Sequence, residues 1–187
     1  MIQKALSEVE RLENLVNGLL DFAAPSRRLR FVVHSVEEVI SNTLFLIQEQ
    51  CKKQKISIAV KVADPLPPLH LDPDRFRQSL LNLLLNAIQA MPEGGDLSLH
   101  VDRVLEDQSL VSGPAVRILV ADTGKGIPAE DIEYIFDPFF SRNPYGVGLG
   151  LAIVHSIIDE HGGRITVSSE MGNGTTFRID LPIDGMR

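Results

Sequence analysis

Two asparagines in an apolar run are the first residues whose type and spacing suggest chemistry. Asn82 and Asn86 lie four positions apart among leucines, so a helix would place both carboxamides on one face. A buried amide without partners costs about 1–3 kcal/mol, so two stacked amides need a polar object to face. An asparagine oxygen can join water and phosphate oxygens around Mg²⁺, which predicts a metal or phosphate site. The alternative is that each amide bonds a neighbouring backbone group.

Two glycine clusters frame the stretch from residue 122 to residue 152. The first holds Gly124 and Gly126, and the second holds glycines at 146, 148 and 150. Glycine at this density indicates tight turns or a close approach to a neighbour. The second cluster leads into an apolar, helix-compatible run, which would aim backbone N–H groups and the positive end of a helix dipole at an anion. We therefore expect a phosphate-bearing ligand here.

Asp122 ends an apolar run that is typical of a buried strand. A carboxylate at this position can accept a hydrogen bond from an exocyclic amine such as that of adenine. The alternative is a turn residue before Gly124, because aspartate favours turns. Asparagines, aspartate and glycine clusters in this order are far more specific together than any one of them alone.

The composition is that of an ordinary globular protein of 187 residues, long enough for one core plus an appendage. Its net charge of -7 argues against binding nucleic acid, which needs a basic face. The single cysteine, Cys51, cannot form an internal disulfide or a cysteine metal cluster. No apolar run approaches the roughly 20 residues of a membrane span, and no signal-peptide pattern opens the chain. We expect a cytoplasmic location, and the cytoplasmic part of a membrane-anchored protein is the alternative.

The first 24 residues carry a heptad seam that predicts one long bundle helix. We expect its partner to be another chain or a segment further upstream, and packing on its own domain is the alternative. Residues 25–30 begin with a proline and are expected to be a linker. The seam consists of apolar residues at alternating three- and four-residue steps, namely Ile2, Ala5, Val9, Leu12, Val16, Leu19 and Ala23.

Residues 31–187 are expected to form an α+β domain, a two-layer α/β sandwich with a mostly hairpin-linked sheet. Ser35 with Glu38 predicts a helix start by a capping box, and Asp72 followed by Pro73 predicts another. Glycines at 162 and 163 predict the end of a third helix. The expected helices cover about 36–53, 73–91 and 151–161, and the expected strands cover 29–33, 56–62, 97–104, 116–121, 165–169 and 176–181.

Four segments, in this order, resemble the N, first glycine, F and second glycine boxes of the ATP-binding domain of sensor histidine kinases. They are Asn82–Asn86, Asp122–Gly126, Phe136–Phe140 and Gly146–Gly150. This domain belongs to the GHKL ATPase and kinase superfamily and has the Bergerat fold. Residues 1–24 resemble the second helix of the dimerisation and phosphotransfer domain, and the stretch between the glycine boxes is most similar to kinases of the nitrogen-regulation type.

The resemblance implies roles for individual residues, with ATP or ADP and Mg²⁺ as the bound cofactors. Asn86 would ligate Mg²⁺, and Asn82 would support the phosphate side. Asp122 would bind the adenine amine, and Thr176 would help to hold Asp122 or its water. Arg142, in the lid segment between the two glycine boxes, is our candidate cation for the phosphates, and an exposed lid arginine is the alternative. The remaining residues would contact the nucleotide or anchor the lid over it, namely Gly124, Gly126, Ile127, Phe136, Phe139, Phe140, Gly146, Val147, Gly148, Leu149 and Gly150.

The implied reaction is transfer of the ATP γ-phosphoryl group to a histidine on a dimerisation helix, with a response regulator receiver domain as a further partner. The resemblance also implies a homodimer for the full-length protein. Relatives that hydrolyse ATP carry a glutamate at the position of Asn82. An amide cannot take a proton from water at neutral pH, so we expect transfer rather than efficient hydrolysis.

Three features depart from the family pattern. The lid carries Ser141, Arg142 and Asn143 where many relatives have a lysine or a threonine pair, and Val147 replaces a common hydroxyl residue. None of the five histidines lies in the phosphoacceptor context, a histidine followed by an acidic residue on a preceding helix. We therefore expect a catalytic domain with one bundle helix and without its own acceptor.

Two other functions stay open at this point. One is a serine kinase of the anti-sigma type, which Asn82 and the bundle helix disfavour. The other is a nucleotide-binding interaction module without catalysis, which fits Val147 and the missing acceptor histidine.

Overall fold

The computed structural model describes residues 29–143 and 146–183. The bundle helix predicted over residues 1–24 lies outside these ranges. None of the helices inside them combines the length and apolar character needed to traverse a membrane. In chain order the elements are β1 (Val32–His34), α1 (Val36–Lys53), β2 (Ile56–Val62), β3 (Leu69–Leu71), α2 (Pro73–Ala90), β4 (Gly95–Val104), β5 (Ala115–Asp122), α3 (Gly150–Glu160), β6 (Arg164–Glu170) and β7 (Gly174–Pro182).

The main sheet has five strands in the order β2-β4-β5-β7-β6. β2 pairs with β4 in parallel, and the other three pairings are antiparallel. β1 and β3 form a separate two-stranded antiparallel sheet. The α+β class is confirmed, and the hairpin linkage holds for β4–β5 and β6–β7. β3 was not predicted, because three residues are too short for a periodic signal.

One face of the main sheet packs against the helices. Val116, Ile118 and Val120 of β5 alternate toward this face and are buried in the same core as Leu80 and Leu84 of α2. Truncating such a fully buried leucine to alanine costs about 2–5 kcal/mol. The core thus fixes the position of α2 over the sheet, and with it the position of the two asparagines.

The ends of α2 follow from local sequence signals. Oδ1 of Asp72 accepts hydrogen bonds from the N–H groups of Asp74 and Arg75 at 3.2 and 3.1 Å, and Pro73 occupies the first helical turn. The helix ends just before Met91, whose N–H bonds the Ile88 carbonyl. This predicted helix is confirmed over nearly its full length.

The opposite face of the sheet carries a buried carboxylate, Asp180 of β7. Arg117 Nε and Arg178 Nη2 donate to it at 3.0 and 2.8 Å, and the Leu110 N–H donates at 2.8 Å. Burial alone would raise the pKa of Asp180, but these hydrogen bonds outweigh it and hold the pKa below its usual value. The cluster fastens the loop between β4 and β5 to the end of β7.

Candidate functional site

Three residues at four-residue steps, Asn82, Asn86 and Ala90, mark one face of α2. Asn82 Nδ2 donates to the Gly150 carbonyl at 3.3 Å, so the helix is joined there to the start of α3. The Ala90 carbonyl accepts from the Lys125 N–H at 3.1 Å, so the same face is joined to the first glycine cluster. Asn86 therefore lies between the two glycine clusters.

The two predicted asparagines differ in their bonding. For Asn82 the alternative stated above, bonding to a backbone group, is observed, since its amide nitrogen donates to the Gly150 carbonyl. In the described part of the chain no hydrogen bond occupies the Asn86 side chain, which is half-buried. An amide oxygen that is half-buried and unbonded is available as a ligand.

Asp122 is the last residue of β5 and is nearly buried. Its Oδ1 accepts from the Gly124 N–H at 2.8 Å, and the carboxylate also accepts from the Thr175 N–H. Burial raises the pKa of Asp122, and these two backbone bonds offset part of the rise. A carboxylate held by two backbone donors keeps further acceptor positions for a ligand.

Thr176 does not lie beside Asp122, so that prediction is wrong by one residue. In the register of β5 with β7, Asp122 faces Thr175, and Thr176 faces Ala121. Because side chains alternate along a strand, Thr176 points to the face of the sheet that carries Arg178 and Asp180. Thr175 is buried and lies on the same face of the sheet as Asp122.

The first glycine loop packs against the hairpin of β6 and β7. Gly126 has φ +73, and a Cβ atom there would lie 2.2 Å from the Glu170 carbonyl oxygen. The close approach predicted for Gly126 is thus made to protein backbone in this structure. The next residue, Ile127, donates its N–H to Ser169 Oγ at 2.8 Å. The loop that follows Asp122 is held from both α2 and β6.

The three predicted lid phenylalanines pack in different ways. Phe136 contacts Phe177 at a ring-centroid distance of 6.4 Å, and Phe140 contacts Tyr134 at 6.0 Å. Phe139 is 59% exposed and has φ +70, a strained value for a bulky residue. Its N–H donates to the Gly148 carbonyl at 2.9 Å. Phe139 therefore ties the lid to the second glycine cluster through its backbone N–H, while its ring is largely exposed.

Arg142, the predicted cation for the phosphates, is paired with carboxylates. Its Nε and Nη2 atoms donate to the two oxygens of Asp131 at 2.9 and 2.7 Å, and Nη2 donates to Glu130 at 3.1 Å. The hydrogen bond with Asp131 is the main cause of the raised pKa of the guanidinium. Binding a phosphate here would require Arg142 to exchange these partners. A pairing across eleven residues outside a helix or hairpin leaves no local signal in the sequence.

The second glycine cluster is partly committed to protein contacts. The Gly146 N–H donates to the Asn143 carbonyl at 2.9 Å, so this predicted phosphate donor already has a partner. Gly148 has φ +73, and a Cβ atom there would lie 2.5 Å from the Phe139 carbonyl carbon. Leu149 is buried, and Val147 packs against it. The first turn of α3, from Gly150, has no side-chain cap among the described residues, so its first backbone N–H groups lack a side-chain acceptor.

A family profile matches residues 71–185, which include every residue of the candidate site. It is the family of histidine kinase-, DNA gyrase B- and HSP90-like ATPases. The chain belongs to this family. The predicted Bergerat architecture is thereby confirmed together with the α+β fold.

Histidine kinases of this family are similar to the chain over most of its length. Sensor histidine kinase ZraS of Escherichia coli (strain K12) is 38% identical over 98% of the chain, which spans only 38% of ZraS. The catalytic domain of histidine kinase ThkA is 32% identical with a TM-score of 0.72, covering 82% of the chain and 96% of that domain.

Two solved complexes are also similar. Full-length ShkA with AMPPNP has a TM-score of 0.81 at 32% identity, covering 96% of the chain and 37% of ShkA. ThkA with the response regulator protein TrrA has a TM-score of 0.76 at 32% identity, covering 94% of the chain and 48% of ThkA. The family resemblance read from the four sequence boxes is confirmed, whereas the likeness to the nitrogen-regulation type stays a prediction.

Three residues at the site were missed by the sequence reasoning. Asp131 binds Arg142, Thr175 binds Asp122, and Ser169 binds Ile127. Thr175 and Ser169 lie on a hairpin that was predicted, so a correct strand register would have brought them to the site. Asp131 lies on a 3₁₀ turn, Ala129–Asp131, which has no periodic signal.

Proposed function

We propose that the chain is the ATP-binding kinase domain of a two-component sensor histidine kinase and that it transfers the γ-phosphoryl group of ATP to a histidine outside this chain. The observation that carries the proposal is the bonding of one face of α2. Asn82 is fixed to the second glycine cluster and Ala90 to the first, and the Asn86 side chain between them has no hydrogen bond to any residue that the structure describes. A nucleotide lying along this face would have its phosphates near Asn82 and its base near Asp122.

The residues present fit a magnesium ion that is held mainly by the nucleotide. No group of three or more histidine, cysteine or acidic side chains in the described ranges could hold a metal by itself. Asn86 would contribute one amide oxygen, and phosphate oxygens and water would complete the octahedron that Mg²⁺ prefers. When bound, the ion supplies charge neutralisation at the phosphate oxygens.

Asp122 would select the base. Its carboxylate is oriented by the N–H groups of Gly124 and Thr175 and lies at the end of β5. An ionised carboxylate only accepts hydrogen bonds, so it favours a base that presents an amine over one that presents a carbonyl. Adenine nucleotides, ATP and ADP, present an amine at C6, where guanine nucleotides present a carbonyl.

Asn82 supports transfer to a protein side chain over hydrolysis. Its amide nitrogen donates to the Gly150 carbonyl, and an amide oxygen is too weak a base to activate water. An imidazole nitrogen, by contrast, attacks with its own lone pair and needs no base. The protein then contributes positioning and electrostatic stabilisation, which dominate catalysis of phosphoryl transfer.

The acceptor histidine would come from a dimerisation helix of the same or a partner subunit. Among the histidines of this chain, His161 is buried with both ring nitrogens hydrogen-bonded, which excludes it as an acceptor in the folded state. A response regulator receiver domain as second partner is supported by the similarity to ThkA in its complex with TrrA. On the same family grounds we propose a homodimer for the full-length protein and a cytoplasmic location for this domain.

The test is a transfer assay with the chain, ATP labelled at the γ-phosphate, Mg²⁺ and a purified dimerisation and phosphotransfer domain. We expect label on that domain that is stable to base and lost in acid, as for phosphohistidine, and none on a variant whose acceptor histidine is replaced by glutamine. ATP binding without transfer would favour the non-catalytic module. Label on serine would favour the anti-sigma type of kinase.

A further inference from the structure

The hydroxyl of Ser169 joins three backbone segments at the base end of the site. Ser169 Oγ lies 2.8 Å from the Ile127 N–H nitrogen, 2.8 Å from the Gly174 carbonyl oxygen and 2.9 Å from Thr175 Oγ1. A hydroxyl has one donor and two acceptor positions. Since Ile127 can only donate and the Gly174 carbonyl can only accept, the Thr175 hydroxyl must donate to Ser169. All three positions are then used.

These contacts connect Ser169 to the carboxylate of Asp122 along two short routes. Through Ile127, Ser169 holds the end of the loop whose Gly124 N–H bonds Asp122. Through Thr175, it holds the residue whose own N–H bonds the same carboxylate. Both backbone donors that orient Asp122 thus belong to segments tied to one serine hydroxyl.

We propose that Ser169 is a positioning residue that sets the orientation of the Asp122 carboxylate and thereby the selectivity of the site for an amine-bearing purine. This inference rests on the proposed function. Ser169 acts through Gly124 and Thr175 and is not expected to contact the nucleotide. Removing its hydroxyl leaves the Ile127 N–H without an acceptor and frees the start of β7 to shift.

A positioning role and a merely structural role predict different changes in binding. If Ser169 only stabilises the fold, its loss weakens binding of all nucleotides alike. If it orients Asp122, its loss weakens recognition of the amine most. The measurement that separates the two is the ratio of affinities for ATP and for purine riboside triphosphate, which lacks the 6-amino group.

We would measure both affinities by calorimetry, with Mg²⁺, for the 187-residue chain and for Ser169→Ala. The wild-type ratio should be at least about tenfold, as for one hydrogen bond to a charged group. In Ser169→Ala the ratio should fall below about threefold, because the Asp122 carboxylate is no longer held in the orientation that accepts from the amine. Ser169→Thr, which keeps the hydroxyl, should retain most of the wild-type ratio.

Ser168→Ala is the matched control, because Ser168 is the exposed neighbour on the other face of β6 and faces Thr176 across the sheet. It should keep the wild-type ratio. If Ser169→Ala does not fold, Ser169→Cys keeps the side-chain size with a much weaker donor and acceptor and should show the same fall. An unchanged ratio in the folded Ala or Cys variant would overturn the inference and leave the proposed function standing. A wild-type chain that binds neither nucleotide would overturn the proposed function itself.

Discussion

The Nε2 atom of His161 accepts a hydrogen bond from the backbone N–H of Asp72 at 2.9 Å. Its Nδ1 lies 2.7 Å from the Ile157 carbonyl, which can only accept, so the ring is neutral with its proton on Nδ1. Asp72 caps α2 and His161 caps α3. One imidazole therefore joins the start of the helix that carries Asn82 and Asn86 to the end of the helix that follows the second glycine cluster.

The first prediction concerns the pH dependence of stability through His161. Burial lowers the pKa of His161, although Ile157 and Asp72 oppose part of the shift. The unfolded chain, with a histidine pKa of about 6.5, therefore takes up the proton first as pH falls. The contribution of His161 to stability should be fully present above about pH 6.5 and lost below it, by at most about 1.4 kcal/mol per pH unit.

Urea denaturation of the wild type and of His161→Gln at about pH 7.5 and about pH 5.5 checks this prediction. The wild type should lose more free energy of unfolding between the two pH values than the variant, which cannot titrate at this position. Equal losses in the two proteins would show that protonation of His161 does not govern the acid side of the stability curve.

The second prediction concerns Asn86 as the metal ligand. Asn86→Ala should reduce the affinity for ATP with Mg²⁺ by at least about tenfold and leave the weaker affinity measured in EDTA nearly unchanged, because only the metal-dependent part is lost. Gln89→Ala is the control, since Gln89 is an exposed amide on the same helix. A metal-dependent affinity that survives in Asn86→Ala would refute the assignment.

The third prediction separates binding from stability at Asp122. Asp122→Asn preserves the shape of the side chain, and its amide oxygen can still accept from the Gly124 N–H. ATP affinity should fall by at least about tenfold, because the charged acceptor is lost. The raised pKa means that the ionised form is disfavoured in the folded state, so the free energy of unfolding at neutral pH should stay equal or increase. A variant that is destabilised and still binds ATP would contradict both parts.

The fourth prediction concerns the exchange of partners by Arg142. If Arg142 leaves Asp131 to reach a phosphate, Asp131→Asn should weaken the hold on Arg142 and tighten ATP binding by at least about twofold, because the charge of the buried Asp131 is lost and only the exposed Glu130 pair remains. Arg142→Ala should slow phosphoryl transfer and abolish the gain in the double variant. If Asp131→Asn weakens ATP binding instead, the Asp131 pair is an anchor of the lid and Arg142 is not the phosphate cation.

The parts of the fold that sequence could predict are those with local causes. Asp72 and Pro73 start α2 through hydrogen bonds and a fixed φ angle within one turn. The hairpin of β6 and β7 turns at Gly172 and Gly174, both of which have positive φ. In each case the residues that cause the structure are neighbours in the chain, so the sequence alone carries the signal.

What sequence could not predict depends on pairing between distant segments. Strand β3 exists because Leu69–Leu71 pairs with β1, and the parallel pairing of β2 with β4 leaves no local trace. The assignment of Thr176 in place of Thr175 is a register error of one residue, which reverses the face of the sheet. The partners of Arg142 and Ser169 likewise follow from tertiary placement.

A crystal structure of the chain with Mg²⁺ and a non-hydrolysable ATP analogue would show directly how the nucleotide binds. We expect the nucleotide along the face of α2 between the two glycine clusters, with its exocyclic amine about 3 Å from the Asp122 carboxylate and Mg²⁺ about 2.1 Å from the Asn86 amide oxygen. A base bound away from Asp122, or a metal held without Asn86, would contradict this expectation.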